Sequence, residues 1–274
     1  MSQSTVSAPH GYADVVDLER YPIGDLDSAT GRAFLQQCRE DLVAHGVCTL
    51  PGFITPAAVT EMVQLGEALA DTAWASDQTH TVYFEKPDET VDPADPRAHQ
   101  VRSAKHGIAY DYIPQDAPLR RLYESDDLTR FIAAVLGKPV LYRSADPLDA
   151  LQITSFSAGE ELGWHFDRSE FSVTVMYRQA EAGGDFDYYP GLRSETDENY
   201  AGVQKALQSN GIEAVRLPST PGALAIFRGH HAMHRVTPVE GATARLNSVL
   251  TYGERPDMKL NDLTSQLFYG RTSS

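Results

Sequence analysis

Two textures divide the chain. Up to about residue 138 most apolar positions fall in stretches where they recur every three or four residues, the spacing that gives a helix one apolar face, with a short strand and a polar stretch between them. From residue 139 they come in short runs, as strands require. "SATGRAFLQQCREDLVAHG" predicts an amphipathic helix, capped by Ser28 or Thr30 and stopped by Gly46. "VCTLPGF" then predicts a short strand that leaves into a turn at Pro51-Gly52. "TPAAVTEMVQLGEALADTAW" predicts a second helix, with Thr55 as N-cap and Pro56 at the first helical position. Residues 76–100 are polar and proline-containing, which predicts a long surface loop. "DAPLRRLYESDDLTRFIAAVLG" predicts one or two more helices.

Beyond residue 139, "PVLYRS", "ALQITSFS", "FSVTVMYRQ", "GDFDYYP", "AVRLPS", "GALAIFRG", "HAMHRVTPV" and "ARLNSVLTYG" are β-branched or aromatic runs separated mostly by Gly, Pro, Asn or acidic residues. Such a series predicts an antiparallel double-sheet barrel. One helix interrupts it, in "ETDENYAGVQKALQSNG". No repeat divides the chain, so residues 1–274 are expected to form a single domain. Within it we expect a flexible start (1–15), a helical part with a lid (16–138), the barrel (139–255) and a C-terminal extension (256–274). The front helices are expected to cover the apolar face of the sheet.

Composition narrows the function classes. Hydrophobic residues make up 42%, enough for a packed core. With 23 Lys+Arg against 38 Asp+Glu, the formal charge is −15, which repels phosphate backbones and argues against a nucleic-acid partner. Cys38 and Cys48 match neither a zinc pattern nor a disulfide framework. The first residues lack the basic start and apolar core of a secretory signal, and no window approaches the ~20 apolar residues of a membrane span. The expectation is a soluble cytoplasmic protein, with its oligomeric state open.

The candidate chemistry lies in "GWHFDRSEF". In an extended segment, residues two apart point to the same face, so His165 and Asp167 project together. They form two corners of a metal site. A third ligand from a distant strand, His230, His231 or His234, completes a two-histidine, one-carboxylate facial triad of the kind that suits Fe(II) and leaves positions open. Eleven residues after His234 stands Arg245, in an otherwise apolar strand. A charge there needs an anionic partner. Its fork fits a carboxylate, either of a ligand or of a protein acid.

HxD, a distant "HRVTP" and an arginine about ten residues on together resemble the Fe(II)/2-oxoglutarate-dependent oxygenases. "GWHFDRSEFSVTVMY", "GGDFDYYPGLR" and "DENY" resemble more narrowly the free-amino-acid halogenases of the lysine chlorinase type and their hydroxylating relatives, over residues 100–255. The resemblance implies a mostly β fold with flanking helices around a double-stranded β-helix (jelly-roll, cupin-like) core. It implies that His165, Asp167 and His234 hold Fe(II) and that Arg245 grips 2-oxoglutarate. His230 and His231 then fall to the loop around the site. The halogenases of this group carry a small residue where this chain has Asp167, so the resemblance implies hydroxylation, with O₂ consumed, succinate and CO₂ released, and ascorbate as the in vitro reductant.

One finer role follows the same resemblance, and the others follow from position in the chain. Arg102 corresponds to an arginine that helps bind the amino acid carboxylate, with Tyr110, Asp111 and Tyr112 as a possible lid. Gln152 and Tyr142, on strands before the HxD segment, are candidates for contact with 2-oxoglutarate. Asn247 and Thr251 share a face with Arg245 and are candidates for the substrate. Leu148, Leu151 and Leu162 would make a pocket less polar than lysine demands, while Asp146 and Asp149 keep a cationic amino acid in play. Rival readings are desaturation or ring closure at the same centre, a carrier-bound or peptide substrate, and a non-catalytic metal-binding barrel.

Overall fold

The computed structural model describes residues 11–272 except 86, 210 and 212. In chain order these residues form α1 (Ala29–His45), β1 (Val47–Leu50), α2 (Pro56–Ala68), β2 (Trp74–Thr81), β3 (Gln100–Ile108), α3 (Pro118–Tyr123), α4 (Asp126–Leu136), β4 (Tyr142–Arg143), β5 (Leu151–Phe156), β6 (Glu161–His165) and β7 (Ser172–Arg178). There follow β8 (Ala182–Gly183), β9 (Phe186–Tyr189), α5 (Tyr200–Leu207), β10 (Val215–Leu217), β11 (Leu224–Phe227), β12 (Met233–Val236), β13 (Val239–Glu240), β14 (Arg245–Leu250), β15 (Tyr252–Gly253) and α6 (Asp262–Tyr269).

The helices start and stop where the caps dictate. Ser28 Oγ accepts from Gly31 N at 2.9 Å, and Gly46 ends α1 at φ 73°, a left-handed conformation that suits glycine. Thr55 caps α2 in the same way. The expected flexible start extends over residues 1–15; residues 1–10 lie outside the described residues, but Tyr12 and Val15 are buried in the core.

Among the described residues one large sheet runs in the order β1-β11-β7-β14-β5-β3-β6-β12-β9-β10, with β2 paired on β3. It curls into a jelly-roll. β3 is the turning point, because Ile108 pairs with Ile153 of β5 while Ser103 pairs with Leu162 of β6. The outer face of β5, β7 and β14 (Leu151, Ile153, Val173, Val175, Leu246, Leu250) packs against Leu42, Met62, Phe131 and Ile132 of the helices. Each such side chain contributes about 1.5–3 kcal/mol by leaving water.

Two expectations are corrected. Residues 76–100 are not one loop: Trp74–Thr81 is a strand paired antiparallel along its full length with Gln100–Ile108, from Trp74 opposite Gly107 to Thr81 opposite Gln100. The sheet therefore does not begin at residue 139, since β1 and β3 belong to it. The N-terminal part is helical only in its outer layer.

Candidate metal centre

His165 ends β6 and His234 lies on β12, directly opposite in the antiparallel ladder. The register shifts between His234 and Val236, so Leu162 and His165, three apart, both face inward. Gly163 sits in this irregular stretch, and a Cβ there would lie 2.5 Å from Arg102 O, so no larger residue fits. Asp167 stands just past β6, where its backbone N–H leaves the ladder and donates to Gly229 O at 3.0 Å.

The imidazoles are fixed from behind. His165 Nδ1–H donates to Gly163 O at 2.8 Å, and His234 Nδ1–H donates to Ala232 O at 2.9 Å. Both Nε2 lone pairs therefore face inward. They stand 3.6 and 3.5 Å from Asp167 Oδ1, and the three donor groups lie within 4.8 Å of one another. Burial, then the neighbouring His234, push His165 down to about 4, so it stays neutral and able to ligate. Burial works against the Asp167 carboxylate, but the two imidazoles beside it, His234 first, outweigh that and keep it ionised. Asp167 Oδ2 is buried and has no hydrogen-bond partner. An orphaned buried carboxylate oxygen beside two inward lone pairs is costly unless a cation completes it. The donor set fits a divalent transition metal.

Arg245 lies on the inner face of β14, 5% exposed. Among the described residues no carboxylate pairs with it. It donates to Asn247 Oδ1, and its guanidinium lies 5.4 Å from the Phe156 ring centroid. Its Nε has no partner. Burial pulls its pKa down to about 10, with the charge of Asp185 acting in the other direction. The alternative of a salt bridge to a protein acid is not realised, and the free edge of the fork suits the carboxylate of a ligand.

The family model of Halogenase D (HalD) matches residues 31–267. The chain belongs to that family. No curated protein matches the chain in sequence. Similar solved structures include an oxidoreductase of the 2OG-Fe(II) oxygenase family from Burkholderia pseudomallei, at 17% identity over 81% of this chain and 92% of that one, with a TM-score of 0.50. A prolyl hydroxylase from Trichoplax adhaerens, solved with a hypoxia inducible factor peptide fragment, matches at 14% identity over 83% and 94%, with a TM-score of 0.52. The epimerase SnoN, in complex with Fe3+, alpha ketoglutarate and nogalamycin RO, matches at 15% over 81% and 84%, with a TM-score of 0.56. At these identities the likeness speaks for the fold, that of the Fe(II)/2-oxoglutarate oxygenases.

The fold gathers some predicted residues and scatters others. Asn247 and Thr251 share the inner face with Arg245, but Asn247 bonds Arg245 while Thr251 Oγ1 donates to Asp149 Oδ2 at 3.3 Å. Gln152 is buried on the inner face of β5 and accepts from Thr154 Oγ1 and Lys105 Nζ. Tyr142 lies on β4, in a two-stranded sheet with β15, and makes no hydrogen bond or ring contact with the triad or Arg245. Arg102 turns outward and pairs with Asp77 at 2.9 Å, so the structure does not bring it to the triad. Asp111 and Tyr112 face Arg271 instead of closing over the site. Leu148, Leu151 and Leu162 belong to three separate packing clusters and do not line one pocket together. His230 supports the centre from the loop, with its ring Nδ1 3.0 Å from Asp167 O, and His231 faces Glu195 at 2.9 Å.

Sequence reasoning missed three residues. His80 Nδ1–H donates to Thr81 O, so its Nε2 accepts from Ser103 Oγ at 2.6 Å, and that same Oγ accepts from Gly163 N at 3.0 Å. Gly163 in turn anchors His165. Lys105, two residues on from Ser103, projects into the barrel with its Nζ 3.4 Å from Gln152 Oε1. The available signal was period-two alternation through 103, 105 and 107, hidden because this inner face is polar.

Proposed function

We propose that the protein is an Fe(II)/2-oxoglutarate-dependent dioxygenase that hydroxylates an unactivated C–H of a free amino acid or a close small derivative. The observation that carries this reading is the Asp167 carboxylate, ionised, buried and orphaned at Oδ2 between two inward-facing imidazoles. His165, Asp167 and His234 would hold Fe(II), and Arg245 would hold the far carboxylate of 2-oxoglutarate, assisted by Asn247. The bound iron supplies oxidation of an unactivated C–H by O₂ with conversion of 2-oxoglutarate to succinate and CO₂.

The chain's own residues bind, orient and shield. The backbone carbonyls of Gly163 and Ala232 lock both imidazoles in the ligating tautomer. Gly229 leaves room for the Asp167 side chain, because a Cβ there would lie 1.8 Å from Oδ2. The rings of Phe84, Phe186 and Phe227 pack on the ligating imidazoles, at 5.0 Å from His165 and at 5.4 and 4.8 Å from His234, and exclude water from that side. The family's name points to halogenation, yet a carboxylate stands where the resembled halogenases carry a small residue. That donor supports hydroxyl transfer as the outcome.

The test is aerobic turnover with Fe(II), ascorbate, chloride and 2-oxoglutarate against the free protein amino acids plus ornithine, reading succinate and product mass together. Succinate coupled to one added oxygen on one amino acid is the expected result. A chlorinated product overturns hydroxylation. Absence of amino-acid-dependent succinate overturns the substrate class.

A further inference from the structure

A second constellation of charges shares the barrel interior with the triad. Lys105 of β3 projects inward, and among the described residues it makes no salt bridge, although its ammonium interacts with the charges of Asp149 and Asp167. Its nearest polar partner is Gln152 Oε1, and its Nζ sits 5.7 Å from the ring centroid of Phe268 on α6. Asp149 precedes β5 and accepts from Tyr269 Oη at 2.7 Å and from Thr251 Oγ1 at 3.3 Å. Neither donor is a cation. An ammonium and a carboxylate thus stand near enough for their charges to interact, each bonded to neutral groups and neither with an opposite charge in contact among the described residues.

We propose that Lys105 and Asp149 clasp the zwitterionic head of an α-amino acid, Lys105 taking the carboxylate and Asp149 the ammonium, with Phe268 and Tyr269 of α6 closing that end of the chamber. The inference rests on the proposed function and deepens it. Two sheltered charges that do not neutralise one another are costly. A ligand with one charge completes only one of them, whereas a zwitterion completes both. Tyr269 and Thr251 already aim Asp149, and Gln152, itself held by Thr154, limits where the lysine can reach. The carboxylate-binding role that resemblance gave to Arg102 passes to the residue three further on, which faces inward where Arg102 faces out. The clasp demands both a free carboxylate and a free amine. It therefore excludes amino acids tied up in peptides or as carrier thioesters, which lack the carboxylate.

The experiment uses protein loaded anaerobically with Fe(II) and 2-oxoglutarate. Calorimetry measures binding of the free protein amino acids plus ornithine, and each binder is then compared with its carboxamide and its N-acetyl derivative. In the wild type the carboxamide and the N-acetyl form are each expected to bind at least about tenfold more weakly than the free acid, as for a buried charge left unpaired. Lys105→Met should bring the free acid down to the level of its amide, and Lys105→Arg should restore part of the preference. Asp149→Asn should abolish discrimination against the N-acetyl form. Equal binding of acid and amide by the wild type overturns the clasp, and that comparison requires no variant to fold. Discrimination that survives Lys105→Met, or the absence of any amino acid binding, also overturns it. Binding of 2-oxoglutarate alone to the Fe(II) protein is measured first. Its absence sinks the proposed function, whereas its presence without acid–amide discrimination sinks only the clasp.

Discussion

Arg245→Met separates a ligand clamp from a structural charge, because the two roles predict opposite patterns. If Arg245 waits for 2-oxoglutarate, the variant loses a bidentate, charge-assisted pair. Hydrogen bonds to charged groups contribute roughly 1.5–3 kcal/mol each, so two contribute about 3–6 kcal/mol, and 2-oxoglutarate affinity should fall by about two to four powers of ten. The ligand-free protein should behave differently. Removing a buried, unpaired guanidinium relieves up to several kcal/mol of desolvation. Against that, Asn247 loses its donor, at about 1–3 kcal/mol, and Phe156 loses a cation contact of about 1 kcal/mol. These effects are comparable, so the ligand-free melting temperature should stay within about 5 °C of wild type. The assay is anaerobic calorimetry of 2-oxoglutarate into metal-loaded protein, with melting curves recorded in its presence and absence. Wild type should gain melting temperature with ligand, and the variant should gain none. A variant that binds 2-oxoglutarate within threefold of wild type, or that melts far lower without ligand, refutes the reasoning and makes Arg245 a structural residue.

Other substitutions test the surroundings of the site. Gly229→Ala places a methyl where Asp167 Oδ2 lies, so the carboxylate must rotate away; iron binding should fall at least tenfold with the fold retained by circular dichroism, and unchanged iron affinity contradicts the placement of Asp167. His234→Ala should abolish metal-dependent 2-oxoglutarate binding while His231→Ala leaves it within about threefold; equal losses would make His231 a ligand. Burial raises Asp149 from its ordinary 3.8 to about 6, so between those pH values the folded protein holds more protons than the unfolded chain. Stability should therefore fall as pH rises through that window, and Asp149→Asn, which lacks the fall, should gain on wild type by up to ~3 kcal/mol at pH 7 in ligand-free denaturant titrations. A constant difference from pH 4 to 7 would show that Asp149 titrates normally.

The parts of this molecule legible in the sequence are those where one residue type has one use. Ser28 and Gly46 marked the limits of α1, and Thr55 with Pro56 marked the start of α2, because caps act locally. HxD with a remote histidine and arginine marked the centre because few structures need those groups at that spacing. β2 and β3 were not legible. β2 is an edge strand reading "WASDQTHT", with most of its side chains partly or fully exposed, so burial imposes no apolar period on it. β3 carries Ser103 and Lys105 because its inner face lines a polar chamber, and Arg102 and His106 because its other face is partly exposed there. Polarity there reads as loop, and with the strand unseen the choice between Arg102 and Lys105 had no face to rest on. The short helix α6 went unread for a related reason: its contact with Lys105 and Asp149 is made only by the folded chain.

The same sheet explains how polarity can be used as evidence. β14 is buried on both faces, with Leu246 and Leu250 against the helices and Arg245 and Asn247 toward the barrel interior. A residue on that inner face cannot reach bulk solvent, so its polar atoms must be completed by the protein or by a ligand. Unpartnered hydroxyls such as Thr49 Oγ1 and Tyr83 Oη occur elsewhere among the described residues and cost a modest amount each. Charged groups are different, because an isolated buried charge costs far more than a hydroxyl. Only three buried titratable atoms outside the tyrosines lack a hydrogen-bond partner among the described residues: Asp167 Oδ2, Arg245 Nε and His231 Nε2, the last facing Glu195. The first two are opposite in sign and both face the interior, so no single ion satisfies them. They require a cation at one and an anion at the other, which is the demand that a metal carrying a dicarboxylate co-substrate meets.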